Sequence, residues 1–288
     1  MSPQLENALF VVATPIGNLK DITLRAIEIL SGADLVVSEH VRKTRNLLRH
    51  YGVKQNVASY REDNVARMIP SVLRALEEGR AVALVAEAGT PAISDPGRRL
   101  VAEARRAGFR VVPVPGASAV AAAVSVAGLD DPRFVFEGFL PRRSGKRRKR
   151  LLELAPDPRP LVVFEAPHRL LDCLKDMRST LGDRTCLVAR EMTKLHEEII
   201  SGFLSDAIAK FGESAPTGEF VIVIQGSPEG TGGQITPQVV EEAKELAAQG
   251  VKKARAARIV ARKYGLKARD LYAILTDEQE SAERGDGK

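Results

Sequence analysis

Tryptophan does not occur in this 288-residue chain, and the aromatic share is only 5%. Extensive stacking of aromatic rings on nucleobases is therefore not how the protein would hold a partner. Cysteine occurs twice, at Cys173 and Cys186, too few for a disulfide framework and in no Cys-x-x-Cys zinc spacing. A reducing, cytoplasmic setting is the expectation. His40, His50, His168 and His196 show no metal-ligand spacing, so no metal is expected. No apolar run approaches the ~20 residues of a membrane span. The nearest, 117–127, is short, alanine-rich and broken by Ser118 and Ser125. The first residues, MSPQLENALF, lack the basic start and hydrophobic stretch of a secretory signal, so no membrane association is expected.

What is present describes a globular chain: 44% of residues are apolar and no tract is of low complexity. The net charge of +6 is unevenly placed. Residues 142–150 (RRSGKRRKR) hold seven basic groups, and 252–269 hold eight with no acid. The remainder of the chain is net acidic. An acidic body with two basic patches points to a polyanionic partner.

Short apolar runs alternate with helical patterns. Residues 8–13, 35–38, 81–85 and 110–114 read as strands, with helices from Asp21, over 41–50, over 64–78 and over 97–107. That alternation predicts an α/β domain with a largely parallel sheet. Strands at 134–136, 161–165, 185–189 and 219–225, with a helix over 168–181, predict a second α/β domain. The expected organisation is a first domain over 1–128, a second over 129–227, a linker over 228–236 and a helical tail over 237–288. The linker boundary rests on SPEGTGGQITP, and the turn residues of 128–132 mark the domain boundary. In the tail, helices over 237–249, 252–263 and 267–275 are separated by Gly250 and Gly265, with the outline of a small helix-turn-helix unit.

Three loops leave strand ends where open parallel sheets bind ligands. ATPIGN (13–18) is a tight turn without the dinucleotide fingerprint. AEAGTPAISDPG (86–97) is long for a connection. Gly89 and Thr90 there could offer backbone groups to a ligand, and Asp95 stands where it could cap the next helix. PVPGASA (113–119) holds Ser118, a cap or a ligand contact. Glu39, Arg42 and Arg45 sit at the same sheet edge, and residues 39 and 42 can share a helix face or form a surface ion pair. No nucleophile elbow, Walker loop or Cys–His arrangement is found.

Taken together, VVATPIGNLKDITLRA (11–26), EAGTPAISDPG (87–97), PVPGASA (113–119), FEGFLPR (136–142), VVFEAPHRL (162–170), AREMTKLHEE (189–198) and the tail 250–275 resemble one group. It is the tetrapyrrole methylase superfamily, and within it the small-subunit ribosomal RNA 2′-O-ribose methyltransferase I family. Two positions depart from that family's usual pattern: Glu-Asp-Thr-Arg is Glu39-His40-Val41-Arg42 here, and Ser-Asp-Ala-Gly-Thr-Pro is Ala86-Glu87-Ala88-Gly89-Thr90-Pro91. The resemblance implies two α/β/α domains with a cofactor cleft between them, plus the small helical domain, and a homodimer. It implies S-adenosyl-L-methionine as cofactor, contacted by Pro15, Ile16, Ala88, Gly89, Thr90, Ile93, Ser118, Ala119, Ala166 and Met192. The implied substrate is the ribose 2′-hydroxyl of a cytidine in the decoding centre of 16S ribosomal RNA, as naked RNA or in the 30S subunit.

A ribose hydroxyl needs its proton removed, so a base in the cleft helps; Glu39 is the first candidate and Asp95 the second. Arg42, Arg45, Arg147, Arg148, Lys149, Lys252, Lys253 and Arg255 are the candidate phosphate contacts, and the 142–150 run is expected to be mobile without RNA. Two other readings share part of the pattern: a tetrapyrrole-type small-molecule methyltransferase, and a non-catalytic RNA-binding protein on the same fold. The two basic segments weigh against the first.

Overall fold

A computed structural model describes residues 5–129, 131–213, 216–227, 235–264, 266 and 268–285, with side chains for all of these except 262, 263 and 277–285. Most of the linker expected over 228–236, namely 228–234, lies outside the described residues.

The first sheet holds β1 (Leu9–Val12), β2 (Leu35–Ser38), β3 (Val57–Ser59), β4 (Val82–Val85) and β5 (Val111–Val114). Their order is β3-β2-β4-β1-β5, and every pairing is parallel. All four residues of β4 are buried, and their alternation sorts them between two cores. Ala83 and Val85 join the core beneath α1 (Leu24–Gly32) and α2 (Val41–His50). Val82 and Leu84 join the core beneath α3 (Val65–Glu77) and α4 (Gly97–Arg106). The expected helix from Asp21 starts later. Residues Leu19–Asp21 form a 3₁₀ turn, and the Thr23 side chain accepts the Ala26 N–H as the cap of α1.

The second sheet has the order β6 (Val135–Phe139), β7 (Leu161–Glu165), β10 (Phe220–Ile224), β8 (Thr185–Arg190) and β9 (Glu198–Phe203). Only β6 and β7 are parallel; the rest pair antiparallel. Here Phe220, Ile222 and Ile224 face the core under α6 (Ser144–Leu154), α7 (Leu170–Leu181) and α8 (Leu204–Gly212). Val221 and Val223 face the other way, against Val120 and Ala123 of α5 (Ala119–Val126). The chain therefore changes sheets before α5, ahead of the boundary expected at 128. Both domains are three-layer α/β/α units. β9 escaped sequence reading because its apolar residues Ile199 and Phe203 are exposed on a sheet edge.

The basic run 142–150, expected to be mobile, is mostly helical, forming the first two turns of α6. The tail is a third unit. Helices α9 (Pro237–Ala248), α10 (Lys253–Lys263) and α11 (Ala268–Gly285) close over their own core of Val239, Val240, Ala243, Val260 and Leu271. Ile259, which the helical period places in that core, is 46% exposed.

Candidate active site

Strands β4, β1 and β5 are neighbours in the first sheet, so the loops 86–97, 13–18 and 113–119 emerge side by side. Hydrogen bonds knit them together. The Thr14 N–H donates to the Gly89 carbonyl (2.9 Å), and the Gly89 N–H donates to the Thr14 carbonyl (3.0 Å). The Thr90 Oγ1 donates to the Ala117 carbonyl at 3.1 Å. This corrects the expectation that the Gly89 backbone is offered to a ligand: both its polar groups are committed to Thr14. What glycine supplies is shape. Its φ is +74°, and a Cβ there would stand 3.2 Å from Ile16 Cγ2.

The second domain closes over these loops at two points. Gly138 sits at a bulge in β6 with φ +66°, so close to Ser94 that a Cβ would lie 2.5 Å from its Oγ. Across the cleft, the Asn18 N–H donates to Thr193 Oγ1 at 3.0 Å, and Gly17 packs under Lys194 and Met192. Between these clasps lies a cavity of about 490 Å³. Ile16, Ala88, Gly89, Thr90, Ile93, Ser118, Ala119, Ala166 and Met192 all line it. Pro15 does not; it borders an adjacent hollow with Lys43 and Glu87. Ser118 also caps α5, accepting the Ala121 N–H at 3.5 Å, while lining the cavity.

Sequence reading left several wall residues unassigned. Phe139 and Phe164 form an apolar wall, their rings edge to face with centroids 5.7 Å apart. Both lay within the FEGFLPR and VVFEAPHRL segments. Glu219, Phe220 and Val221 come from the start of β10, where only a strand pattern was visible. Glu165 is buried at the end of β7; its Oε1 accepts the Ala166 N–H at 2.8 Å and faces Arg169 Nε at 3.1 Å. It fixes the turn that brings Ala166 to the cavity.

Five carboxylates line the cavity: Glu165 and Glu219 are paired with Arg169 and Lys194, while Glu39, Glu87 and Asp95 are near enough for their charges to act on one another. Asp95 does not cap α4. The cap residue is Pro96, which has no side-chain cap bond, and Asp95 has no hydrogen bond among the described residues. Burial, then the neighbouring charges of Glu39 and Glu87, push its carboxyl up to about 6. Burial and Glu87 also raise Glu39. Glu87 is ion-paired to Lys43 and lies 3.7 Å from His40 Nε2. The two departures from the family pattern, 40 and 87, are thus neighbours in space. The loop that carries Asp95 holds Ala92 and Ser94 at φ +69° and +64°, a conformation that costs free energy in non-glycine residues. Both thiols are buried away from this cavity, and burial pushes Cys186 up to about 11, so neither is an activated nucleophile.

The candidate phosphate contacts divide. Arg42 and Arg45 are exposed on α2 beside the cavity. Arg147 is withdrawn: its side chain is 4% exposed and its guanidinium pairs with Asp176 at 2.6 Å. Arg148 and Lys149 are exposed on α6. In the tail, Lys252 and Arg255 are exposed, whereas Lys253 Nζ donates to the Leu275 carbonyl at 3.0 Å, tying α10 to α11.

Residues 8–208 match the family model described as Tetrapyrrole (Corrin/Porphyrin) Methylases. A ribosomal RNA small subunit methyltransferase I of a Synechocystis strain is 43% identical over 92% of this chain and 96% of its own length. The Thermotoga maritima protein of that name is 48% identical over 76% of this chain and 98% of its own. Among solved structures, a cobalt precorrin-4 methyltransferase of cobalamin biosynthesis shares the fold, with a TM-score of 0.55 and 21% identity over 76% of this chain and 95% of that one. The fold, the interdomain cavity and these relatives together establish that the chain belongs to the tetrapyrrole methylase family, in its ribosomal RNA small subunit methyltransferase I branch.

Proposed function

We propose that the protein is an S-adenosyl-L-methionine-dependent methyltransferase that methylates the ribose 2′-hydroxyl of a cytidine in the decoding centre of small-subunit ribosomal RNA, acting in the cytoplasm as a homodimer. The observation that carries this reading is the cavity between the two domains. It joins apolar walls to the carboxylate cluster of Glu39, Glu87 and Asp95, in a chain whose relatives of 43% and 48% identity bear that RNA in their names.

The cavity fits a compact cofactor with an adenosine and a sulfonium. Its volume falls in the range of small-molecule sites. The cradle at Gly89 is one that a Cβ would narrow against Ile16. Ile16, Ala88, Ala166 and Met192 would hold the cofactor, which supplies an electrophilic methyl group with a good leaving group. The residues of this chain then have two tasks. One is alignment: clasping the loops between two domains holds reactants in line, and orientation of this kind is worth about 7–11 kcal/mol in well-placed systems. The other is removal of the hydroxyl proton. Asp95 moves ahead of Glu39 for this role, because its carboxylate has no hydrogen-bond or ion-pair partner among the described residues and its pKa of about 6 leaves it ionised yet more basic than an ordinary aspartate near neutral pH.

The test is transfer of tritiated methyl groups to 30S subunits that lack the modification, followed by nucleoside mapping, with naked 16S RNA as a second arm. Label on a cytidine 2′-oxygen is the expected result. Cofactor binding without transfer to either RNA would favour the non-catalytic reading, and transfer to a tetrapyrrole alone would favour the small-molecule one.

A further inference from the structure

Beside the cleft lies a groove of about 860 Å³ lined by four arginines, Arg42, Arg45, Arg49 and Arg61, together with His40, Val41 and Asn46. Arg42, Arg45 and Arg49 recur at helical spacing along one face of α2. Arg61, from the loop after β3, closes the groove from the other side, its Nε donating to the Glu39 carbonyl at 3.1 Å. Among the described residues, Arg42, Arg45 and Arg49 make no ion pair and no side-chain hydrogen bond. No carboxylate lines the groove. The contrast with the second domain is direct: Arg133, Arg150, Arg159 and Arg190 there each hold a carboxylate within 3.2 Å.

Four guanidinium groups converging from two elements without an acid repel one another, and a surface of this kind is relieved by an anionic occupant. Guanidinium forks match phosphate oxygens. The groove meets the catalytic cavity at adjacent residues: Glu39 lines the cavity and His40 lines the groove. The signs are opposite on the two sides. Glu39, Glu87 and Asp95 make the cavity unfavourable for a phosphate, while the groove favours one.

We propose that this groove binds consecutive phosphodiester groups of a single-stranded RNA segment flanking the target nucleotide, so that the backbone is held outside while the ribose alone enters the acidic cleft. This rests on the RNA-methyltransferase reading and extends it to Arg49 and Arg61. It also assigns the groove a job distinct from that of the cavity. The contacts are to phosphates, so they fix register and carry no base preference. The occupant is RNA rather than an acidic protein segment, because planar guanidiniums spaced along a groove suit a repeating phosphate, and because the cavity next door is where the proposed reaction needs a ribose.

The test uses the full chain with Arg45→Ala/Arg49→Ala and, as a charge-keeping control, Arg45→Lys/Arg49→Lys. Both side chains are exposed, so folding is not at stake. The probe is a fluorescently labelled single-stranded oligoribonucleotide, titrated at several salt concentrations with a polyglutamate peptide as competitor. The alanine pair is expected to bind RNA roughly tenfold more weakly at low salt, with the slope of log K against log salt shallower by about 1.4, or ~0.7 for each lost phosphate contact. The lysine pair should recover most of the slope, and S-adenosylmethionine binding by calorimetry should be unchanged in both. Unchanged RNA affinity and slope in the alanine pair would overturn the proposal, as would polyglutamate binding the wild-type groove more tightly than RNA. The two readings fail separately. A wild-type protein that binds the oligonucleotide through these arginines but methylates no RNA refutes the reaction and leaves the groove; one that methylates subunits while the alanine pair keeps full affinity refutes the groove alone.

Discussion

Helices α2 and α6 carry similar charge in sequence and put it to opposite uses. Each has a dense basic run, RKTR in one and KRRKR in the other. On α6 the fold answers the charge with acid. Asp176 of α7 takes both Arg147 and the Ser144 hydroxyl, and Glu137 and Glu153 take Arg150. On α2, among the described residues, the one ion pair is that of Lys43 with Glu87, and the arginines are left facing a groove. A basic run is thus a structural clamp or an anion site depending on what a distant segment brings to it.

The sharpest break in this comparison comes from deleting one arginine on each helix. Arg147→Ala leaves Asp176 with the Ser144 hydroxyl and the more distant Arg148 alone, and should cost about 1.5–3 kcal/mol of stability by urea denaturation. Arg45→Ala should cost no more than about 0.5 kcal/mol, as exposed sites do. Equal losses would erase the distinction.

Next in size is Asp95, in the wall of the cavity. If Asp95 takes the ribose proton, Asp95→Asn should slow methyl transfer by about 10²–10⁴-fold. In the wild type, the rate should fall as pH drops through about 6 and level off above it, while the variant loses that step. A persisting step would pass the role to Glu39. Stability moves the other way. A carboxyl whose pKa is raised from 3.8 to about 6 on folding binds its proton more tightly in the native state, so native stability falls as pH rises from about 4 to 6. Asp95→Asn should therefore be no less stable than wild type at pH 8, with any advantage gone below about pH 4.

Gly89→Val should weaken S-adenosylmethionine binding by roughly tenfold or more in calorimetry. A left-handed φ costs an L-residue about 1–2 kcal/mol, and the added carbons press on Ile16. The smallest effects belong to α6 and the tail. Arg148→Ala/Lys149→Ala should change RNA affinity less than the α2 pair does in the same titration. A chain ending at Gly226 should stay folded and bind cofactor, because the tail closes over its own core. Its loss should appear as weaker capture of 30S subunits. The Thermotoga maritima relative is matched over 98% of its length by only 219 residues of this chain, about the length of the body alone.

Much of this architecture is legible in local pattern. Short continuous apolar runs mark the strands of the first sheet, and the Gly- and Pro-rich loops at their ends mark the cavity, because both signals are written in residues a few positions apart. The sequence alone determined that such loops exist and that the charge lies in clusters. Tertiary structure decided what they do. Thr14 claims the Gly89 backbone across 75 residues, Asp176 claims Arg147 across 29, and His40 meets Glu87 across 47. Asp95, which stands where a helix cap should be, is freed from capping and half-buried beside two other acids. Hydrogen bonds and ion pairs act over a few ångströms of space, and no periodicity in the chain records which distant residues folding brings within that range.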